Sequence, residues 1–412
     1  MKRGDRIRLT IDRPAAGGRM IARHDRTIVF VSNAIPGEIV EADVEKVQRG
    51  MAWAVARDVV ERSPDRIDSP VDGACGGSVF AHIAYDRQRS LKSAIIDDSL
   101  RRLGRITLDA PVDVVASPVD GYRMRARLHA RDGRLGFFRE GTHSLCDPVS
   151  TRQLRDDTAE VIGRLESAWR GVPPGLIQAV EIAENIAATD RAIHLQLHPE
   201  ANADPLASRV AVDGVTGATC SLGEDADTIE LAGTPMILDT VRGARLERHV
   251  RSFFQGNRYL LEPFVDWVMT HVEAGPLVDL YAGVGLFSLA AAAKGITDIT
   301  AVEGDRFAAR DLTRNVAGTM TVLPIAVEQY ASRGARPETM IVDPPRTGLS
   351  KDALARVLAV GSPMLVYVSC DIATLARDAR GLIDAGYRIT TARAFDLFPN
   401  TAHVETVMTF VR

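Results

Sequence analysis

The sequence predicts a multidomain fold, in which an N-terminal β-barrel of the OB type and an α+β central domain precede a C-terminal Rossmann-like α/β domain. The chain has 412 residues, which is too long for one ordinary hydrophobic core. Short strands separated by turns fill its beginning, whereas strands alternate with helices from about residue 275 onward. We therefore expect domains at residues 1–62, 63–246 and 247–412.

The N-terminal segment has the pattern of a small barrel. Alternating apolar and polar residues predict strands at residues 6–11, 27–31, 38–47 and 53–61. Turns at 15–18 and 35–37 contain glycine, and Ser63-Pro64 closes the unit. Small barrels of this kind often bind single-stranded nucleic acid.

The central segment carries mixed signals, which indicate an α+β domain. Helical periodicity covers residues 85–103 and 151–169, and alternation at 192–198 predicts a strand. Two further strands, at 122–130 and 134–138, are predicted to form a hairpin around Asp132-Gly133. These local patterns leave the order of strands in the central sheet open.

The C-terminal segment alternates regularly between strands and helices. Strands are predicted at residues 277–281, 299–303, 322–327, 340–342 and 364–368, and helices at 286–294, 306–316, 351–360 and 372–385. Residues 388–395 and 405–411 are close enough in sequence to pair as a final antiparallel hairpin. Repeated β-α units predict a doubly wound parallel sheet, whose ligands bind beyond the carboxyl ends of its strands.

Charge is distributed unevenly along the chain. The net charge is −4 at pH 7, yet seven arginines lie between residues 3 and 26 and six between residues 123 and 139. The local field along a groove matters more than the total charge for nucleic-acid binding. Together the two groups favour contact with phosphates, although an ordinary solvated surface explains either group equally well.

Cysteine content and hydropathy bear on the cellular compartment. The four cysteines, at positions 75, 146, 220 and 370, lie far apart and predict no disulfide framework. The N-terminus lacks the basic and apolar regions of a signal peptide, and the most apolar window, 277–293, contains an aspartate and several glycines. We expect a cytoplasmic protein that does not enter membranes.

A glycine-containing turn follows the first strand of the C-terminal sheet. Gly283 and Gly285 allow the backbone to approach a ligand, and Glu303 ends the next strand, where an acid can bind ribose hydroxyls. Ser288 stands where a dinucleotide-binding fingerprint has its third glycine, so an adenosyl ligand is favoured over NAD. The alternative is a structural turn with a surface glutamate.

Two later strands end in side chains that can do chemistry. Asp343 precedes two prolines that hold an extended loop at the ligand edge of the sheet. Cys370 ends the next strand directly before a helix, whose N-terminal dipole would lower the pKa of the thiol. Glu405 opens the last strand and is placed to act as a base. The alternatives are a strand-ending proline pair, a buried packing cysteine and a surface glutamate.

Five motifs resemble those of the RNA 5-methyluridine methyltransferases. They are SFFQGN at 252–257, DLYAGVGLFSL at 279–289, IVDPPRTGL at 341–349, VYVSCDIATLARD at 366–378 and FDLFPNTAHVETV at 395–407. The resemblance extends nearly end to end, because residues 1–62 look like the TRAM domain of that family. Residues 134–139, with Thr142-His143, are similar to its central domain.

The resemblance implies methylation of a uridine in RNA at carbon 5, with S-adenosylmethionine as cofactor. Cys370 would add to carbon 6 of the uracil, and Glu405 would remove the proton from carbon 5. The residues expected around the cofactor are Gln255, Tyr281, Gly283, Gly285, Glu303 and Asp343. Either Phe253 or Phe254 would shape the uracil site.

The same resemblance favours ribosomal RNA over transfer RNA, and no obligate protein partner is implied. The alternatives are transfer RNA as substrate, a cytosine carbon-5 reaction, or a non-catalytic RNA-binding protein on a retained scaffold.

The sequence departs from the family pattern at two places. Asp371 stands where the family usually has asparagine, which would either raise the pKa of the neighbouring thiol or cap a helix. Many members bind a four-iron cluster through four cysteines, and Ser69 and Ser78 replace two of them here. Cys75 and Cys146 are too few for an ordinary cluster site, so we expect no iron–sulfur cluster.

Overall fold

The N-terminal segment forms a closed five-stranded barrel. The computed structural model describes residues 1–224, 226–332 and 335–412. The barrel strands are β1 (Arg6–Pro14), β2 (Met20–His24), β3 (Thr27–Ser32), β4 (Ile39–Gln48) and β5 (Met51–Glu61), paired in the closed order β1-β2-β3-β5-β4. The expected barrel is confirmed. The sequence patterns did not single out β2, which is short and interrupted by Arg23.

Residues beyond the barrel complete its core. Phe80, Ile83 and Leu91 pack into the same hydrophobic cluster as the inward-facing strand residues. The Glu38 side chain is fully buried and accepts hydrogen bonds from the backbone N–H of Ile35 (2.9 Å) and from Nε of Arg66 (2.6 Å). This buried ion pair ties the barrel to the segment that follows it.

The central segment contains a mixed sheet with helices packed on one face. Its elements are α1 (Tyr85–Ser99), β6 (Asp113–Val115), β7 (Arg125–Arg131), β8 (Arg134–Phe138), β9 (Leu145–Cys146), α2 (Asp156–Ala168), β10 (Ile177–Glu184), β11 (Arg191–Leu197), α3 (Ala207–Val210), β12 (Gly217–Leu222), β13 (Ile229–Gly233), β14 (Met236–Val241) and β15 (Ala244–His249). Seven strands pair in the order β13-β12-β11-β10-β7-β8-β9, and β14 pairs with β15.

The predicted β7–β8 hairpin is confirmed, with Arg131 opposite Arg134 across the turn. Helix α2 begins at Asp156, later than predicted, because the preceding residues form a short 3-10 turn that ends at Arg152 in the left-handed region (φ 57°). Leu165 of α2 and Ala126 and Leu128 of β7 lie in one buried cluster. One face of the central sheet is therefore covered, and alternate residues of β7 point to the other face.

The C-terminal segment forms the expected doubly wound sheet. Its elements are α4 (Leu261–Thr270), β16 (Leu277–Leu280), α5 (Leu286–Ala293), β17 (Ile299–Val302), α6 (Arg306–Val316), β18 (Thr321–Leu323), β19 (Thr339–Val342), α7 (Lys351–Val360), β20 (Met364–Ser369), α8 (Ile372–Asp384), β21 (Arg388–Phe395) and β22 (Glu405–Val411). The strand order is β18-β17-β16-β19-β20-β22-β21-β6. The predicted β21–β22 hairpin is confirmed, whereas β6 joins this sheet from the central segment.

The expectation of a chain without disulfides is wrong. Cys75 and Cys146 are bonded to each other, with 5.9 Å between their Cα atoms, because the β8–β9 pair brings Cys146 beside the segment that follows the barrel. Cys220 and Cys370 are free thiols. Across the described ranges, no helix has both the length and the apolar character needed to cross a bilayer.

Candidate active site

A cavity of about 430 Å³ lies at the carboxyl ends of the C-terminal parallel strands. Strands β16, β17, β19 and β20 run parallel, so the loops after them meet at one edge of the sheet. The sequence-predicted residues that line the cavity are Gln255, Tyr281, Gly283, Glu303, Asp343, Cys370 and Glu405. Gly285 is the predicted residue that does not line it.

The two glycines of the first loop serve different purposes. Gly283 lies in the left-handed region (φ 57°), and a Cβ added there would meet open space at the cavity wall. Gly285 caps the start of α5 with φ 98°, and a Cβ there would lie 2.8 Å from Cδ1 of Leu312. Gly283 thus leaves room for a ligand, whereas Gly285 is required by helix packing and backbone conformation.

Glu303 is held rigidly at the tip of β17. Its Oε2 accepts a hydrogen bond from the backbone N–H of Gly283 (2.7 Å), and its Oε1 accepts one from the N–H of Asp305 (2.6 Å). Burial raises the pKa of this carboxyl group, although these backbone hydrogen bonds oppose the rise. Each oxygen keeps a second lone pair that can accept a hydrogen bond from a hydroxyl group of a ligand.

Strand register sets Cys370 opposite Glu405. The antiparallel pairing of β20 with β22 joins Ser369 to Thr406, so the next residues outward along the two strands are Cys370 and Glu405. Both side chains line the same cavity, Glu405 being buried and Cys370 half-buried. The sheet itself therefore brings a thiol and a carboxyl group together at the ligand edge.

The electrostatic environment of the thiol differs from the expectation. Burial, reinforced by the charges of Glu405 and Asp343, raises the pKa of Cys370 to about 12, and Arg346 partly opposes the rise. The predicted lowering by the helix dipole is wrong, because desolvation and two carboxyl groups outweigh it. Asp371 caps α8 by accepting a hydrogen bond from the N–H of Thr374 (2.9 Å).

Two carboxyl groups of the cavity, those of Asp343 and Glu405, have raised pKa values. Burial raises the pKa of Asp343 to about 7, with further contributions from Asp279 and Glu303. Burial also raises the pKa of Glu405 well above its usual value, with Asp343 raising it further and Arg346 lowering it. Positive charge entering this cavity would stabilise the ionised forms of all these groups.

Two consecutive phenylalanines, Phe253 and Phe254, line the cavity. Phe254 is buried beneath the guanidinium of Arg248, 4.1 Å from the ring centre, whereas Phe253 is 61% exposed. The side chain of Gln255 also lines the cavity and makes no hydrogen bond within the described part of the chain. Gln255 is therefore available to a polar group of a ligand.

Sequence reasoning missed several residues that shape the site. Arg346 and Phe398 line the cavity, and both lie inside motifs recognised in the sequence without having been assigned a role. Lys92 of α1 is fully buried and pairs with Asp396 (2.5 Å) at the start of the loop that carries Phe398. No local pattern identifies this pair, because its two residues are about 300 positions apart.

The residues of this cavity fit an adenosyl ligand. The open space in front of Gly283, the anchored carboxylate of Glu303 and the unpartnered amide of Gln255 lie around one cavity. No group of three or more histidine, cysteine, aspartate or glutamate residues within the described ranges is arranged to hold a metal ion.

Comparison with known proteins gives two matches to family models. Residues 295–412 match the model described as tRNA (Uracil-5-)-methyltransferase. Residues 1–56 match the TRAM domain model, which coincides with the closed barrel.

Similar proteins and solved structures cover nearly the whole chain. The 23S rRNA (uracil(1939)-C(5))-methyltransferase RlmD of Halomonas elongata is 30% identical, covering 98% of this chain and 89% of the relative. An uncharacterized RNA methyltransferase of Streptomyces avermitilis is 29% identical over 98% of both chains. The structure of Pyrococcus abyssi tRNA (uracil-54, C5)-methyltransferase in complex with S-adenosyl-L-homocysteine has a TM-score of 0.79 at 25% identity, covering 98% of this chain and 99% of that one.

Proposed function

This chain belongs to the RNA uracil-5-methyltransferase family, and on that basis we propose that it methylates carbon 5 of a uridine in ribosomal RNA through a covalent bond to Cys370. The observation that carries the proposal is the β20–β22 register, which sets Cys370 beside Glu405 in the cavity. The proposed nucleophile, the proposed base and the side chains proposed to surround the cofactor all line that cavity.

S-adenosylmethionine is the methyl donor of this family, and it supplies a methyl group that is open to nucleophilic attack. Glu303 would accept hydrogen bonds from the ribose hydroxyls, because both its oxygens are fixed by backbone N–H groups. The Gly283 backbone would pass close to the ligand, while Gln255, Tyr281 and Asp343 would surround it. The carboxylates would also favour a positively charged ligand over a neutral one.

Cys370 acts as the nucleophile in this proposal. Its sulfur bonds to carbon 6 of the uracil, and the electron pair of the carbon 5–carbon 6 double bond moves toward carbon 4, forming an enolate. The enolate makes carbon 5 nucleophilic, so the new bond to the methyl carbon would form there while the methyl–sulfur bond of the donor breaks and its sulfur leaves as a neutral thioether. Arg346 opposes the two carboxyl groups that disfavour the thiolate, and a cationic ligand would act in the same direction.

Glu405 acts as the base that completes the reaction. Its carboxylate takes the proton from carbon 5, the carbon 5–carbon 6 double bond re-forms, and the bond between sulfur and carbon 6 breaks. Burial raises the pKa of this carboxyl group, which strengthens it as a proton acceptor once it is ionised. The product is 5-methyluridine, and the sulfur of Cys370 is released as a thiolate.

The choice of ribosomal RNA rests on similarity. The RlmD relative, at 30% identity, is named for 23S rRNA, whereas the matching solved structure, at 25% identity, is named for transfer RNA. The barrel does not separate the two substrates, because this chain covers 99% of the transfer RNA enzyme. We therefore treat the RNA class as the part of the proposal that the first experiment must decide.

The experiment uses the purified chain with S-adenosylmethionine and either ribosomal or transfer RNA transcripts that lack modifications. Digestion to nucleosides and mass spectrometry then identify the product, with Cys370→Ala as the control. We expect 5-methyluridine in the ribosomal transcript and none with the control variant.

The other outcomes each reject a stated part of the proposal. 5-Methyluridine in transfer RNA alone would reject the ribosomal target, and 5-methylcytidine would reject uridine as the base. Full activity of Cys370→Ala would reject the covalent mechanism. Tight RNA binding without methylation of either transcript would favour a non-catalytic role.

A further inference from the structure

A stripe of basic and aromatic side chains runs along β7, on the face of the central sheet opposite its helices. It consists of Arg125, Arg127, His129 and Arg131, at alternate positions of β7, and Phe138 of β8; we call it the β7 stripe. Residues at alternate positions of a strand share a face, and the intervening Ala126 and Leu128 point into the core. Arg127 and Arg131 are exposed, and His129 and Phe138 are half-buried.

The aromatic members of the β7 stripe are stacked. His129 lies opposite Gly136 on β8, so Phe138, two residues further along, is its diagonal neighbour on the same face. The two ring centres are 3.6 Å apart with an angle of 9° between the planes. His143 packs edge-on against Phe138, and the guanidinium of Arg131 lies 5.8 Å from the centre of the Phe138 ring.

The β7 stripe is continuous with the mouth of the catalytic cavity. The guanidinium of Arg125 lies 5.7 Å from the ring centre of Phe253, which lines the cavity and is mostly exposed. His129 is four residues further along the same strand, which corresponds to roughly 13 Å. A chain that leaves the cavity past Phe253 reaches the stacked rings within that short distance.

Most arginines of this segment are engaged within the protein, including two of the β7 stripe: Arg125 forms an ion pair with Glu181, and Arg127 donates a hydrogen bond to Oε1 of Gln196. Arg123 donates to Oε1 of Gln153 (2.6 Å), Arg134 pairs with Glu166 (3.1 Å), and Arg139 pairs with Asp72 (2.7 Å). Arg131, by contrast, makes no ion pair within the described residues, and its guanidinium lies near the Phe138 ring. Exposed arginines interleaved with stacked rings suit a polyanion that carries flat apolar bases.

We propose that single-stranded RNA flanking the target uridine lies along the β7 stripe, with one base stacked against the His129–Phe138 pair and the adjacent phosphates near Arg127 and Arg131. This rests on RNA being the substrate and names the surface that holds it outside the catalytic cavity. Duplex RNA is disfavoured, because bases that remain paired cannot stack on protein side chains.

The test measures the affinity of the full-length protein for a fluorescein-labelled single-stranded oligouridylate by anisotropy. Loss of one stacked base weakens binding by roughly 5- to 150-fold, so Phe138→Leu should lie in that range and Phe138→Trp should restore affinity. Arg131→Gln should reduce the slope of log affinity against log salt by about 0.7, as expected for one phosphate contact to a single strand. A duplex of the same length should be insensitive to Phe138→Leu.

A matched control is Trp267→Leu. Trp267 also has a histidine edge-on to its ring and an arginine over it (Arg393, 4.6 Å), but it lies on α4, away from the stripe. S-adenosylhomocysteine affinity, measured for each variant, reports whether the fold is intact. Unchanged affinity for oligouridylate in Phe138→Leu, or an equal loss in Trp267→Leu, would overturn the proposal.

This readout is independent of catalysis. Photo-crosslinking with 4-thiouridine placed beside the target position should label residues 125–138, whereas labelling confined to residues 1–62 would place the flanking strand on the barrel and refute the inference. Failure to form 5-methyluridine would reject the proposed reaction without altering these binding and crosslinking results.

Discussion

The buried Lys92–Asp396 pair makes the sharpest prediction about how the active-site loop is held. Both side chains are fully buried, and Nζ of Lys92 also donates to the backbone oxygen of Phe398 (3.1 Å). Oδ2 of Asp396 has no hydrogen-bond partner among the described residues. Lys92→Met would therefore leave a buried carboxyl group without its cation.

The magnitude follows from the cost of an unpaired buried charge. Removing one partner of a buried ion pair costs about 3–5 kcal/mol of the free energy of unfolding, whereas replacing both partners by apolar residues is often neutral. A cooperative unit of 150–250 residues loses about 2–4 °C of melting temperature per kcal/mol. We expect Lys92→Met to melt roughly 6–20 °C below the wild type, and Lys92→Met with Asp396→Leu to recover most of that loss.

The assay combines thermal unfolding followed by circular dichroism with single-turnover methylation of RNA. Because the loop that Lys92 holds carries Phe398 and leads into Glu405, the single variant should methylate more slowly while still binding S-adenosylhomocysteine. A single variant that melts with the wild type would refute this account of the loop. A double variant as unstable as the single one would refute it equally.

The remaining predictions concern the cavity itself. Glu405→Gln should retain methyl transfer but accumulate methylated RNA bound covalently to the protein, visible as a slower band on denaturing gels; normal release of product would exclude Glu405 as the base. Because burial raises the pKa of Asp343 to about 7, this group loses its proton as the pH rises through that value. The affinity for cationic S-adenosylmethionine should then rise with pH, by at most about tenfold per unit, and Asp343→Asn should flatten that profile. Gly283→Ala should weaken cofactor binding measured by calorimetry, because its Cβ would project into the open space of the cavity, whereas Gly285→Ala should mainly lower the melting temperature because its Cβ would collide with Leu312. Equal effects of the two alanines on cofactor affinity would contradict these separate roles.

Much of the C-terminal sheet was predictable because its signals are local. Each β-α unit is a short apolar run followed by a helical period, and the right-handed crossover rule leaves few ways to assemble such units. The β21–β22 hairpin was equally accessible, since the two strands are close in sequence. The positions of Glu303, Asp343 and Cys370 at strand ends then follow from parallel strands ending at one edge of the sheet.

Other features depend on contacts between distant parts of the chain. The parallel pairing of β11 with β12 and the addition of β6 beside β21 leave no mark in either partner's own sequence pattern. The Cys75–Cys146 disulfide has the same origin, because 71 positions separate its cysteines. Such pairings are set by the packing of whole elements, which periodicity alone does not encode.

The pKa of Cys370 shows a different limit of sequence reasoning. The helix that follows the thiol was identified correctly, but its dipole is a modest effect that falls off within one turn. Burial and the two carboxyl groups that the fold brings beside the sulfur act in the opposite direction and are larger. The sequence around Cys370 indicates the helix and its dipole, but it does not indicate Glu405 and Asp343, which the fold brings near from other parts of the chain.

The covalent role of Cys370 is tested most directly by trapping it on RNA that contains 5-fluorouridine at the target position. The carbon–fluorine bond blocks removal of a proton from carbon 5, so a methylated adduct should persist, and peptide mass spectrometry should find it on Cys370. An enzyme that binds the cofactor and this RNA yet forms no adduct, or forms one elsewhere, would contradict the account.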